Sequence, residues 1–182
     1  MEHYEEERAR ARREGRQYAV ALDLGLEMET GAPLPQVIVT ERETVIVFRV
    51  ATPYPERDGR TVTTVDPASY EECDLACVRF VGTAASLLGP PNDEAMSGHP
   101  LYGSGLEFYG FHTVDNSEWR AEYCRRNEAH RSHSPQRWNE RTHYVFTFHD
   151  KTFECLARGH SVTTQRSTFR AVLHGLVDEL FR

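Results

Sequence analysis

The stretch from His143 to Ala157, His-Tyr-Val-Phe-Thr-Phe-His-Asp-Lys-Thr-Phe-Glu-Cys-Leu-Ala, constrains the fold of this 182-residue chain more than any other segment. Tyr144, Phe146 and Phe148 alternate with His143, Val145 and Thr147, and Phe153, Cys155 and Ala157 alternate with Thr152, Glu154 and Leu156. Successive side chains on a strand point to opposite faces, so each run has one strongly apolar face. The polar pair Asp150-Lys151 between the runs predicts a β-hairpin closed by a two-residue turn. In that register His149 faces Thr152, Phe148 faces Phe153, Thr147 faces Glu154 and Phe146 faces Cys155. One face is a core of Tyr144, Phe146, Phe148, Phe153, Cys155 and Ala157. The other carries His143, Thr147, His149, Thr152, Glu154 and Arg158, interrupted by Val145 and Leu156. Those two apolar residues imply that something covers part of the polar face.

The rest of the chain supplies partners for such a hairpin. Strand patterns run over Tyr18–Leu26, Val37–Thr40, Thr44–Val50, Val62–Val65, Asp74–Val81 and Leu106–Val114. Pro53, Pro55 and Asp58-Gly59 mark a turn, and Glu41-Arg-Glu a hairpin loop or the exposed centre of one long bent strand. Asn116 or Ser117 can cap a helix from Glu118 to Ala129 whose buried side is Trp119 and Tyr123. At the end of the chain Phe169, Val172, Leu173, Leu176, Val177 and Leu180 recur at helical spacing and form an apolar stripe. Residues 5–16 hold no large apolar side chain, so residues 1–17 read as a charged, solvated arm, ordered only on meeting a partner. The expected architecture is one α+β domain over residues 18–182: a mostly antiparallel curved sheet of six to eight strands packed against the C-terminal helix and the helix at 118–129.

Charge and cysteine usage bound the function. The net charge of −7 is uneven: residues 17–116 sum to −10, whereas residues 117–182 sum to +3. An acidic field opposes phosphate neutralisation, which argues against nucleic-acid binding. No apolar run approaches the roughly 20 residues of a spanning helix, and the first residues lack the basic and apolar regions of a secretory signal. A cytoplasmic protein with free thiols at Cys73, Cys77, Cys124 and Cys155 is therefore expected. The chain holds no P-loop, no Gly-x-Gly-x-x-Gly, no Gly-x-Ser-x-Gly and no His-Glu-x-x-His, so no motif names a cofactor or a metal.

Candidate chemistry gathers in two places. Residues 89–105 contain four Gly and three Pro in seventeen positions and form the longest irregular segment, carrying Asn92, Asp93, Glu94 and His99 and leading to His112. Asn and Asp in such a segment also bond their own backbone in ordinary turns. On the hairpin, His149 and Glu154 are diagonal neighbours, suited to general acid–base work or to holding a metal, or simply to forming a polar sheet face. The expected site is a polar pocket in which His149, Glu154 and His99 do acid–base work on a small polar ligand. Asn92, Asp93, Glu94 and His112 line it, and Arg158 holds an anionic group. The alternative is an interaction module, such as a bacterial toxin-neutralising or regulatory protein, whose acidic first half meets a basic protein partner.

Overall fold

A computed structural model describes residues 2–51, 67, 68 and 70–181; the turn expected at 53–59 and the strand expected at 62–65 lie outside them. In chain order the elements are α1 (Glu2–Arg13), β1 (Tyr18–Ala21), β2 (Gln36–Val39), β3 (Glu43–Arg49), β4 (Cys73–Val81), β5 (Ala85–Gly89), β6 (Phe111–Asp115), α2 (Glu118–Arg126), α3 (Pro135–Asn139), β7 (Thr142–Thr147), β8 (Thr152–Ala157), β9 (Gly159–Ser167) and α4 (Phe169–Leu180). The fold is α+β. Its strands form two antiparallel sheets rather than the single sheet expected, ordered β1-β6-β7-β8-β5 and β2-β3-β4-β9.

The apolar patterning explains the division. Ile46, Phe48, Ala76, Val78 and Phe80 from β3 and β4 share one buried cluster with Phe111, Tyr144, Phe146, Phe153 and Cys155 from β6, β7 and β8 and with Phe148 just after β7. The two sheets thus bury their aromatic faces against each other, which one sheet could not do for so many rings. The opposite faces of β3 and β4 present Val45, Val47, Leu75 and Cys77 to Phe169, Val172 and Leu176 of α4. Strands covered on both sides need apolar residues on both sides, and this is why Thr44–Val50 and Asp74–Val81 read as nearly continuous apolar runs. Strands β5 and β9 escape the sequence reading because neither has a buried residue to set up an apolar face, and β9 is largely exposed and polar.

Residues 3–17 are largely exposed, as a charged arm would be, but they are ordered against the rest of the chain. The Tyr4 hydroxyl donates to the Ala19 carbonyl at 3.0 Å, Ala11 is fully buried, and Arg8 and Arg12 pair with Asp115 on β6 at 2.9 and 2.7 Å. One small side chain and one ring suffice to dock α1, and the guanidinium groups find an acceptor remote in sequence. All four cysteines are free, and among the described residues no helix is long and apolar enough to cross a membrane.

The hairpin forms with its turn one residue earlier than expected. Thr147 faces Thr152, Phe146 faces Phe153 and Val145 faces Glu154, and the Phe148 N–H donates to the Lys151 carbonyl at 2.9 Å. The turn is therefore His149-Asp150. Moving it by one residue slides every partner by two, so both faces keep their members while the pairs change. His149 leaves the sheet face, and His143 becomes the diagonal neighbour of Glu154.

Candidate functional site

The outer face of the five-stranded sheet, turned away from the aromatic core, carries a row of neighbours across four strands: His112 on β6, Val145 on β7, Glu154 on β8 and Leu87 on β5. Val145 and Leu156 are fully buried there, as the interrupted polar pattern required. The cover comes from the irregular segment and from α2, with Leu101 packing on Val145. Residues Leu106 to Gly110 belong to this cover and not to a strand, which begins only at Phe111. Gly110 lies against the buried ring of His112, where a Cβ would come within 2.7 Å of Cε1. Gly110→Ala is expected to cost about 1–3 kcal/mol in urea unfolding, the usual penalty for overpacking a filled site.

Glu154 is the centre of the arrangement. Its Oε2 lies 2.8 Å from His143 Nε2, and His143 Nδ1 lies 2.8 Å from the Ser117 hydroxyl. Ser117 caps α2, as its sequence position suggested, by accepting the Arg120 N–H at 3.0 Å. Its Oγ is thus occupied as an acceptor, and its hydrogen is free for His143 Nδ1. The proton of a neutral His143 then sits on Nε2 and points at the carboxylate, an assignment made from the hydrogen-bond pattern. Trp119, in the first turn of α2, packs its indole 5.1 Å from the His143 ring and closes the other side.

His99 reaches the same carboxylate from the irregular segment. Its Nδ1 accepts the Leu101 N–H at 3.1 Å, and its Nε2 lies 3.8 Å from Glu154 Oε1. That separation is too long for a hydrogen bond, and Nε2 is buried with no partner. His99 and His143 are 5% and 2% exposed. Burial alone would raise the Glu154 carboxyl, but the hydrogen bond from His143 and the imidazole of His99 beside it outweigh burial and hold it down at about 2. A pocket of about 320 Å³ opens above the group, lined by His99, His143, Glu154, Trp119 and Leu87 together with Gln17, Pro100, Leu101, Glu118, Glu122 and Arg125.

The other expected site residues lie elsewhere. His149 stands in the hairpin turn with Nδ1 3.8 Å from Asp93 Oδ2 and 3.3 Å from Asp150 Oδ1, so the diagonal pairing expected with Glu154 does not occur. Asp93 accepts the Tyr109 hydroxyl, which lowers its carboxyl pKa, and it donates its N–H to the His149 carbonyl at 3.0 Å. These contacts fasten the irregular segment to the hairpin turn. Asn92 makes an ordinary turn through the Ala95 N–H, and Glu94 is exposed. Arg158 stands in the link between β8 and β9, half-exposed and 3.7 Å from Glu140, outside the pocket. His112 is buried beneath the cover, and its Nε2 accepts the Glu107 N–H at 3.2 Å. A larger hollow of about 730 Å³ is lined by Leu26, Val50, Ala51 and Arg166, at the end of the described segment 2–51, and holds none of the expected residues.

The sequence reading missed His143, Ser117 and Trp119 as members of the site. Strand alternation had already put His143 on the face of Glu154, and a turn placed one residue earlier would have made them neighbours.

Among the described residues no three His, Cys, Asp or Glu side chains are placed to share a metal ion. Ser117 is buried, caps α2 and positions His143. Comparison with known proteins found no matching family, no similar curated protein and no similar solved structure.

Proposed function

We propose that the chain is a small-ligand-binding protein whose ligand enters the pocket between α2, the irregular segment and β8 and is held by Glu154. The observation that carries this reading is the pocket of about 320 Å³ that opens onto the partly accessible carboxylate of Glu154. Ser117 and His143 hold that carboxylate in place. Acid–base turnover fits less well: a carboxylate held at about 2 is a weak base near neutral pH, whereas an effective general base has a pKa near the working pH.

A fragment screen by NMR on the labelled full chain tests this. Binders are expected to shift the Trp119 indole N–H and the Leu87 methyl groups and to lose about tenfold to a hundredfold in affinity in Glu154→Gln, the cost of one hydrogen bond to a charged acceptor. Hits that map elsewhere, or hits that keep their affinity in the variant, overturn the reading.

A further inference from the structure

We infer that the pocket takes a small organic ammonium ion, its charged head on Glu154 and its carbon skeleton against Trp119 and Leu87. This rests on the binding reading and names its ligand class. The two oxygens of Glu154 are not equivalent. Oε2 is taken up by His143, whereas no hydrogen bond from the described residues reaches Oε1. His99 Nε2 stands 3.8 Å from Oε1 and is sealed from solvent, so a ligand in the pocket meets the carboxylate and not that imidazole nitrogen. The Glu154 side chain is 20% exposed, and it stays ionised at neutral pH because its carboxyl is held at about 2. An ionised carboxylate has lone pairs only, so the group that complements it is a donor.

The walls decide the charge of that donor. Glu118 and Glu122 line the same pocket as Glu154, with Arg125 as the basic member of the lining. Arg126, outside the lining, pairs with Glu122 at 2.5 Å. Arg125 lies seven residues along α2 from Glu118, about 10 Å by helix rise. The end of the pocket that holds Glu154 and Glu118 is therefore anionic. A carboxylate or phosphate would be repelled there, and a neutral donor would leave the Glu154 charge unmatched in a partly desolvated recess. A metal ion would match the charge but would leave Trp119, Leu87, Pro100 and Leu101 uncovered. An organic cation covers these apolar groups, of which Leu87 is 49% exposed, and indole is the side-chain ring that best holds a cation. At about 320 Å³ the pocket lies at the lower end of the range for small-molecule sites, which matches an amine of a few carbons rather than a long polyamine.

Two-dimensional NMR on the labelled full chain at neutral pH tests the ligand class. The separate millimolar probes are n-butylammonium, n-butanol and butyrate, which share a carbon skeleton and differ in charge, with sodium chloride at matched ionic strength and the Trp138 indole as internal reference. n-Butylammonium is expected to shift the Trp119 indole N–H saturably, while n-butanol, butyrate and salt leave it in place. Glu154→Gln should weaken the ammonium by about tenfold or more, the loss of a hydrogen bond to a charged group. Because Glu154 also holds His143, Glu118→Gln is the second variant: it keeps that contact and should weaken binding by about twofold to fivefold, the worth of one partly screened charge. Saturable shifts from n-butanol or butyrate in place of n-butylammonium overturn the ammonium assignment and leave the binding reading intact. A response to sodium chloride equal to that of n-butylammonium, or an ammonium affinity unchanged in both variants, overturns the assignment as well. A chain on which no probe moves Trp119 overturns both.

Discussion

Phe146→Ala should lower the free energy of unfolding by about 3–5 kcal/mol, seen as a fall in the urea midpoint with little change in slope. Phe146 is fully buried at the meeting of the two sheets, with its ring centroid 4.8 Å from Phe111, 5.7 Å from Phe80, 5.8 Å from Phe153, 6.3 Å from Phe48 and 6.5 Å from Phe148. Three of these neighbours stand on its own sheet and two on the other. The backbones that carry them are fixed by ladder hydrogen bonds, so the rings cannot close over the space an alanine leaves, and the cavity term adds to the lost transfer energy. Phe108 provides the contrast within the same molecule. It is 48% exposed, and Phe108→Ala should change stability by less than about 0.5 kcal/mol. A loss below about 1 kcal/mol for Phe146→Ala would mean that the two sheets do not share this core.

How far the sequence foretells this arrangement depends on which physical rule each feature obeys. Face membership follows from alternation, a property of a single strand, and so the core face of the hairpin, the two faces of Cys73–Val81 and the α4 stripe are all legible. Register depends on the turn, and Asp150-Lys151 and His149-Asp150 differ little as turn pairs. The structure selects the second, and that choice exchanges His149 for His143 as the partner of Glu154. The split into two sheets depends on which strands pair across long sequence separations, and no local pattern records it. The irregular segment shows both cases. Its Gly and Pro content announces a loop, but its role as a packed cover rests on Met96, His99 and Leu101 being buried, which only the tertiary fold decides. The docking of α1 has the same origin: Arg8 and Arg12 read as solvated until Asp115 is brought beside them.

Acidification should destabilise the protein in two separable windows, the upper set by His112 and the lower by Glu154. Burial pushes the His112 imidazole from 6.5 down to about 4, because no water remains to solvate its cation beneath the cover. Below its ordinary value the unfolded chain takes up a proton that native His112 refuses, so the unfolded state binds more protons and stability falls with falling pH. The contribution is complete above pH 6.5 and is lost as the pH drops to about 4. A tenfold difference in proton affinity between the native and unfolded chains is worth about 1.4 kcal/mol, so the loss amounts to about 2 kcal/mol between pH 7 and pH 5 and about 3 kcal/mol at full extent. Half-buried His160, also lowered by burial, adds in the same direction. For Glu154 the sign follows from a native carboxyl held at about 2 against an ordinary 4.5: its contribution is present above 4.5 and is lost as the pH falls towards 2. Urea unfolding at several pH values separates the two. His112→Asn should flatten the change between pH 7 and pH 5 whatever it does to absolute stability, and Glu154→Gln should leave that change in place while reducing the loss below pH 4.5, to which Asp93 and Asp115 also contribute. An unaltered upper window in His112→Asn would show that the imidazole is charged or solvated in the native protein. In that case the cover of irregular segment and α2 does not seal the row His112, Val145 and Glu154 on which the proposed ligand site is built.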